Sequence, residues 1–195
     1  MRKSNYGVYE LAQNIFYVVK SKILFPGSRM IRFPVIVRGK KYIDFGSNLT
    51  AGRNCRIEVN GRHSGKRLMF GNGVNLGDYT SIRCADRITI GNNVLMGSRV
   101  LIIDNTHGKY RGKNQSSPAE APNERRLSTG QITIGDNVWI GEGAVIQKNV
   151  EIGEGTIICA NAVVTKSIPA RCIAGGVPAN VLKKWNEEVQ QWENI

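Results

Sequence analysis

An aliphatic residue returns at every sixth position in the second half of the chain. From Ile134 the sequence reads IGDNVW-IGEGAV-IQKNVE-IGEGTI-ICANAV-VTKSIP, and each hexad begins with Ile or Val. A second small or β-branched residue follows four places later, at Val138, Ala144, Val150, Thr156, Ala162 and Ile168. A period of six matches neither a helix nor a simple alternating strand. The pattern predicts short strands joined by turns and wound into a solenoid.

In such a coil the first residue of each hexad points inward and stacks on its equivalents above and below. The polar triplets at 135–137 and 153–155 then lie at turns, where Gly, Asn and Asp tolerate positive φ. Each coil depends on its neighbours for backbone hydrogen bonds, so at least about three repeats are needed for stability. We therefore expect an all-β solenoid.

The same hexads occur less regularly in the first half of the chain, beginning at Phe45, Phe70 and Ile90. The register slips in GRHSGKR at 61–67 and again near Asp86. Such slips predict loops extruded from a corner of the coil. The largest interruption predicts an extruded loop at about 108–131.

Two segments lie outside the repeat. Residues 4–24 carry apolar residues at helical spacing, which predicts a helix that packs on the solenoid or binds a partner. Residues 181–193 show similar spacing and predict a short C-terminal helix that covers the exposed strand edges. The apolar positions are Val8, Leu11, Ile15, Val18 and Val19, and then Leu182, Trp185, Val189 and Trp192. The expected parts are an N-terminal helical segment (1–30), the solenoid domain (31–179) and a C-terminal capping helix (180–195).

The net charge of +12 favours anionic partners, although solvated surface charge also accounts for it. Neither a zinc-finger spacing nor a basic helix interleaved with aromatics is present, so we expect no nucleic-acid partner. Four scattered cysteines suit a reducing compartment. The N-terminal region shows no signal-peptide pattern and no apolar run long enough to span a bilayer. We expect a cytoplasmic protein, with peripheral association at the inner face of an anionic membrane.

Several motifs resemble one known family. They are the run of I-G-x-x-V hexads, VWIG at 138–141, VTKSIP at 164–169, AGGVPAN at 174–180, IRFPVIVRG at 31–39 and D-x-x-HG at 104–108. Together they resemble the left-handed β-helix, hexapeptide-repeat acyltransferases. Within these the chain is similar to the maltose and galactoside O-acetyltransferase branch, and closest to the bacterial O-antigen, colanic-acid and capsule polysaccharide O-acetyltransferases. The resemblance implies a left-handed parallel β-helix, a homotrimer with active sites between protomers, acetyl-CoA as cosubstrate and a sugar or polysaccharide acceptor.

His107 is the leading candidate for chemistry. It ends a regular stretch where the longest loop leaves, and Asp104 stands three residues upstream. Transfer of acetyl from a thioester to a hydroxyl needs a base that works near neutral pH, which suits histidine. A lone histidine at a strand corner is more often a hydrogen-bonded structural residue than a catalyst, but the resemblance places His107 at the family's catalytic position. We expect His107 to act as general base for direct attack, with backbone N–H groups stabilising the oxyanion.

Other polar residues have roles that the sequence leaves open. Asp104 could orient His107, contact the acceptor or be a solvated turn residue, and Glu120 and Glu124 compete for the orienting role. Asp78 lies about where the family's sugar transferases carry an acceptor-binding Asn, so we expect it to bind the acceptor. The change from Asn to Asp leaves that assignment open.

The resemblance also implies a coenzyme A site. The residues that match positions bordering CoA in the family are Trp139, Gly141, Ala160, Thr165 and Lys166. Gly141 and Ala160 are explained equally well as positions at which the repeat itself places a small residue. Relatives usually carry Arg or Lys at the position of Asn180, so we expect Lys183 or Lys184 to contact the phosphates instead. We expect no metal, because two histidines 44 residues apart do not make a zinc site.

Three other functions remain open at this point. The fold could serve another acceptor, such as serine, an amino sugar or an antibiotic. It could be a carbonic anhydrase of the hexapeptide type, which needs three zinc-binding histidines. It could also be a non-catalytic scaffold.

Overall fold

The computed structural model describes residues 7–195 as a coil of short strands preceded by one helix. Helix α1 spans Val8–Leu24, and a short 3₁₀ turn spans Lys40–Tyr42. The strands of the first half are β1 (Met30–Ile31), β2 (Val35–Arg38), β3 (Ile43–Asp44), β4 (Thr50–Ala51), β5 (Cys55–Val59), β6 (Leu68–Phe70), β7 (Asn75–Leu76), β8 (Ser81–Cys84), β9 (Ile88–Ile90), β10 (Leu95–Met96) and β11 (Leu101–Ile103). Those of the second half are β12 (Asn105–His107), β13 (Leu127–Thr129), β14 (Ile132–Ile134), β15 (Trp139–Ile140), β16 (Val145–Gln147), β17 (Val150–Ile152), β18 (Ile157–Ile158), β19 (Val163–Val164), β20 (Cys172–Gly176), β21 (Ala179–Asn186) and β22 (Gln191–Asn194).

The strands form three parallel sheets that make the faces of a triangular prism. Face A has the order β1-β4-β7-β10-β15-β18-β20, continued by β21 and β22. Face B has the order β2-β5-β8-β11-β16-β19, and face C has the order β3-β6-β9-β14-β17. The chain visits A, B and C in turn, so each coil contributes one strand to each face. The predicted left-handed parallel β-helix is confirmed.

The predicted inward column is confirmed. Ile134 pairs with Ile152 on face C, and the residues that open the hexads on the other faces pair in the same way, one coil apart. All members of both predicted columns are buried. The core is therefore a stack of aliphatic layers that runs along the axis of the prism.

The corners are turned by residues with left-handed backbone conformations. Along the last coils, φ is between 56° and 71° at Asn137, Gly143, Asn149, Gly155, Asn161 and Arg171. Close stacking also restricts some corner positions to glycine. A Cβ on Gly141 would lie 2.5 Å from the backbone nitrogen of Ala160 in the next coil. The repeat itself therefore requires glycine at position 141.

The predicted extruded loop leaves the edge between faces B and C. Its base is an antiparallel pair, β12 with β13, in which Thr106 lies opposite Ser128. The extrusion therefore begins at Asn105, three residues before the predicted 108. We call the segment 105–129 the ribbon. The shorter predicted loop at 61–67 leaves the same edge, between β5 and β6.

The predicted C-terminal helix over 180–195 is wrong. The segment forms the hairpin β21–β22, which pairs antiparallel with β20 and extends face A. Trp185 lies opposite Trp192 in this hairpin, and Val189 falls in its turn, so the apolar spacing that suggested a helix arises from cross-strand pairing. The hairpin supplies backbone partners to the strand edge that the last coil would leave open, which a helix cannot do.

Helix α1 is present, but it does not pack through the apolar residues identified from the sequence. Its buried residues are Tyr17 and Ser21, whereas all five apolar positions identified from the sequence are exposed. Within residues 7–195, no helix is long and apolar enough to cross a bilayer.

The core column generates a stability prediction. Replacing Ile146 with Ala removes buried methyl groups from a residue that is 0% exposed and leaves a cavity between coils. We expect the free energy of unfolding to fall by about 2–5 kcal/mol, measured by urea denaturation followed by circular dichroism. Thr133→Val, on an exposed outward position of face C, should stay within about 0.5 kcal/mol of wild type. Equal losses in the two variants would contradict the layered core.

Candidate active site

His107 is presented on the surface of the ribbon. Successive residues of a strand point to opposite faces, so His107 and Thr106 project in opposite directions. Thr106 faces the β-helix, where its hydroxyl accepts a hydrogen bond from Lys148. His107 is exposed, and within residues 7–195 its ring makes no hydrogen bond. The imidazole is therefore accessible to a ligand.

Asp104 fixes the corner from which the ribbon leaves. It is fully buried, and its carboxylate accepts hydrogen bonds from the backbone N–H groups of Ala85 (2.7 Å) and Asp86 (2.8 Å) and from the Asn105 amide (3.1 Å). The structure does not bring this carboxylate to the His107 ring. The orienting role proposed for Asp104 from the sequence is therefore not supported within one chain, and its observed role is structural.

The loop carboxylates do not replace it. Within the described residues, the side chains of Glu120 and Glu124 make no hydrogen bond to His107. The backbone oxygen of Glu120 instead accepts a hydrogen bond from Arg125, whose guanidinium also donates to the Tyr110 hydroxyl. That hydroxyl in turn donates to the backbone oxygen of His107. The loop is thus folded back on the residue that it follows.

Lys148 ties the ribbon to the β-helix. Its ammonium donates to the Thr106 hydroxyl (2.9 Å) and to the Ser128 backbone oxygen (2.8 Å) and hydroxyl (2.6 Å), so it contacts both strands. Burial lowers the pKa of Lys148. The hexad pattern does not indicate this role, because the third position of the hexads holds Asp, Glu, Ala or Lys without a pattern.

A cationic groove of about 560 Å³ lies between the ribbon and the last coils. Its lining includes Lys109, Arg111, Lys148 and Lys166, and none of the described residues that line it is acidic. Of the predicted cofactor residues, Thr165 and Lys166 lie here. The groove therefore suits an anionic ligand.

The other predicted cofactor residues lie along face A. An outward row crosses its strands in the order Leu95, Trp139, Ile157, Ile173 and Lys183. Trp139 is 49% exposed. Lys183 lies three strand steps away, about 14 Å at the usual strand spacing. The row is an apolar strip that ends in a cation, and Gly141 and Ala160 flank it at the edge between faces A and B.

The cofactor set is thus divided between two edges of the prism. Trp139 and Lys183 belong to face A, and Gly141 and Ala160 belong to its border with face B. Thr165 and Lys166 belong instead to the edge between faces B and C. Arg171, a further basic residue of the last coils, pairs with Glu154 (3.3 Å) and Glu187, so its charge is compensated.

Asp78 also lies away from the ribbon, at the edge between A and B. Its carboxylate accepts a hydrogen bond from the backbone N–H of Arg53 at 2.7 Å. At another corner, the Asp136 carboxylate likewise accepts a hydrogen bond from the backbone N–H of Asn92. Asp78 thus has a structural function in the repeat, and within one chain it is not adjacent to His107.

The four cysteines are unpaired. Burial raises the pKa of Cys55 to about 11 and also raises the pKa of Cys84 and of Cys172. Cys159 is half-buried. Raised thiol pKa values disfavour the nucleophilic thiolate, so these three cysteines are poor candidates for carrying an acyl group.

The hydrogen bonds by which Lys148 holds both strands of the ribbon, which we call the Lys148 clamp, generate the prediction for this site. Lys148→Met removes three hydrogen bonds from a charged donor, each typically contributing about 1.5–3 kcal/mol. We expect amide hydrogens of 105–107 and 127–129 to exchange at least about tenfold faster, measured by hydrogen–deuterium exchange and mass spectrometry. Lys166→Met removes the same charge from the same groove and should leave the exchange of the ribbon unchanged. Unchanged ribbon exchange in Lys148→Met would refute the clamp.

Comparison with known proteins agrees with this architecture. Residues 131–166 match the family described as bacterial transferase hexapeptide (six repeats). WbbJ of Escherichia coli K12, named for O-acetyl transfer in lipopolysaccharide biosynthesis, is 34% identical over 189 residues, covering 96% of this chain and 95% of that protein. Galactoside O-acetyltransferase of the same bacterium is 32% identical over 146 residues, covering 75% of this chain and 59% of that protein.

Solved structures show the same fold. The N-acyltransferase AntD from Bacillus cereus, in complex with dTDP and 3-hydroxybutyryl-CoA, superposes with a TM-score of 0.67 at 22% identity, covering 82% of this chain and 81% of that one. Since the match to WbbJ extends over nearly the whole of both chains, the protein belongs to the bacterial hexapeptide-repeat transferases and is an acyltransferase of that family.

Proposed function

We propose that the protein transfers acetyl from acetyl-CoA to a sugar hydroxyl of a cell-surface polysaccharide or its precursor, with His107 as general base. The observation that carries the proposal is the accessible imidazole, displayed on a ribbon that Asp104 and Lys148 hold against the β-helix. The acceptor class is supported by WbbJ, which is named for O-acetyl transfer in lipopolysaccharide biosynthesis. The unpaired cysteines suit a cytoplasmic enzyme.

In the proposed reaction, His107 takes the proton of the sugar hydroxyl while that oxygen forms a bond to the acetyl carbon. The carbon–sulfur bond breaks, and the proton passes from His107 to the sulfur that leaves. Acetyl-CoA supplies the acetyl group as a thioester, so no oxidant or metal is required. We propose that transfer is direct, and the burial and raised pKa values of Cys55, Cys84 and Cys172 support this, because they disfavour a thiolate that could carry the acetyl group.

Two surfaces of the chain fit coenzyme A. The outward row on face A offers apolar side chains for the extended arm and Lys183 for a phosphate. The groove beside the ribbon offers Lys166 and other cations without a competing carboxylate. Ligand and surface are therefore complementary in both polarity and charge.

Because these surfaces lie on different edges of one chain, we propose that the complete site forms between two protomers of a homotrimer. Face A and its border with B would come from one protomer, and the ribbon with His107 would come from its neighbour. This arrangement also accounts for the exposure of His107 within a single chain.

The role of His107 is tested by His107→Asn. We expect the rate of thiol release from acetyl-CoA with a hydroxyl acceptor to fall about 10²–10⁴-fold, while calorimetry shows unchanged acetyl-CoA binding. His63→Asn is the matched control, because His63 lies in the loop at 61–67, where its ring contacts the backbone oxygen of Asn60 at 2.8 Å. Loss of less than about threefold in His107→Asn would remove His107 from the mechanism.

The shared site is tested by complementation. His107→Asn and Trp139→Ala should each be inactive as pure proteins, the second through loss of acetyl-CoA binding. Co-expressed in equal amounts, they should regain roughly a quarter of wild-type activity, because one in four interfaces of a mixed cyclic trimer pairs two intact halves. No recovery in mixed trimers, verified by two different affinity tags, would place the whole site within one chain.

A further inference from the structure

Helix α1 exposes an unusually apolar face. At 3.6 residues per turn, its apolar side chains fill about half of the helix circumference without interruption along the first four turns. Val8 is 88% exposed and Ile23 is 73% exposed. The exposed members are Val8, Tyr9, Leu11, Ile15, Phe16, Val18, Val19 and Ile23. A contiguous apolar surface of this kind on a folded protein marks an interaction site.

The opposite side of the helix fixes this orientation. The buried Ser21 hydroxyl donates to the backbone oxygen of Tyr17 and accepts from the backbone N–H of Ile31 at 2.7 Å. The Tyr17 hydroxyl donates to the backbone oxygen of Phe33 at 3.3 Å. Rotation of α1 to bury its apolar face would break these bonds. The apolar face is therefore held outward by the fold.

The apolar face is accompanied by positive charge. Residues 7–41 contain seven Lys or Arg and one acidic residue, Glu10. Two of the lysines lie at the C-terminal end of the helix, where the Lys22 ammonium donates to Ser28 at 2.8 Å and the Lys40 ammonium donates to Leu24. Lys20 lies over the ring of Phe33, 4.1 Å from its centroid. The surface thus combines exposed aliphatic and aromatic groups with cations.

We propose that α1 docks on the surface of a bilayer that contains anionic phospholipids. A helix with an apolar face and basic flanks lies in the interface, its apolar side chains among the acyl chains and its cations near the head groups. Charge favours an anionic bilayer over a second copy of the chain as the partner of α1, because two copies would bring the same basic segments together and these would repel each other. The inference goes beyond acyl transfer and places the enzyme at a membrane surface.

The test is sedimentation of the full-length protein with vesicles. We expect wild type to bind vesicles of phosphatidylethanolamine and phosphatidylglycerol, to bind phosphatidylcholine vesicles much more weakly, and to lose affinity as salt is raised. The double variant Ile15→Gln, Val19→Gln keeps good helix formers on α1 and should lower the partition coefficient by about tenfold or more. The matched control is Ile36→Gln, Val189→Gln, which changes an exposed Ile and an exposed Val outside α1 and should bind as wild type does.

Two readouts separate the possible failures. Light scattering should give the same oligomeric mass for the α1 variant and wild type, and thiol release with a soluble acceptor should be unchanged. Equal vesicle binding by wild type and the α1 variant, or no binding by wild type, would overturn the proposal. A lower oligomeric mass in the α1 variant would also overturn it, since a second copy would then occupy the face. None of these results depends on whether His107 is the base.

Discussion

The structure depends on the stacking of coils, because each short strand finds backbone partners only in the coils above and below it. The aliphatic column brings successive coils into register, and residues such as Asn137 and Gly143 turn the corners between faces. A change in one coil therefore alters the backbone pairing and packing of the adjacent coils. The core tolerates little variation, and chemically varied residues are displaced to the outward rows, the edges and the two ends of the prism.

This constraint explains which parts of the fold the sequence could predict. The hexad is a local pattern, so the two buried columns, the corner residues and the places where loops leave could all be identified without knowledge of the fold. Helix α1 could also be predicted from a local pattern, the helical spacing of its apolar residues. Its orientation could not, because hydropathy identifies an apolar face but not whether the rest of the protein covers that face. The orientation depends on the hydrogen bond of Ser21 to Ile31, outside the helix, which holds the opposite side of α1 against the fold.

The features that the sequence did not predict have a common cause, which is contact between residues distant in sequence. The spacing of Trp185 and Trp192 fitted a helix, but the open edge of β20 favoured strand pairing. Asp104 was read with its sequence neighbour His107, yet its partners lie 18 and 19 positions earlier in the chain. Lys148 reaches Thr106 across 42 positions. Such contacts become visible only when the coils are stacked, and they include the contacts that shape the candidate site.

The regular rise of the coils also bears on how a long ligand is recognised. Outward positions on one face repeat at the strand spacing of about 4.8 Å, so a row of side chains forms a ladder with fixed steps. An extended ligand lying along the axis meets a new side chain at each step, from Leu95 through Trp139 to Lys183. The two ends of the ligand can then be recognised by different chemistry without any flexible segment between them. In the proposed trimer, a rigid ladder on one protomer and a clamped ribbon on its neighbour would place the acetyl carbon and the base by geometry alone, so the proposed site depends on Lys148 as well as on His107.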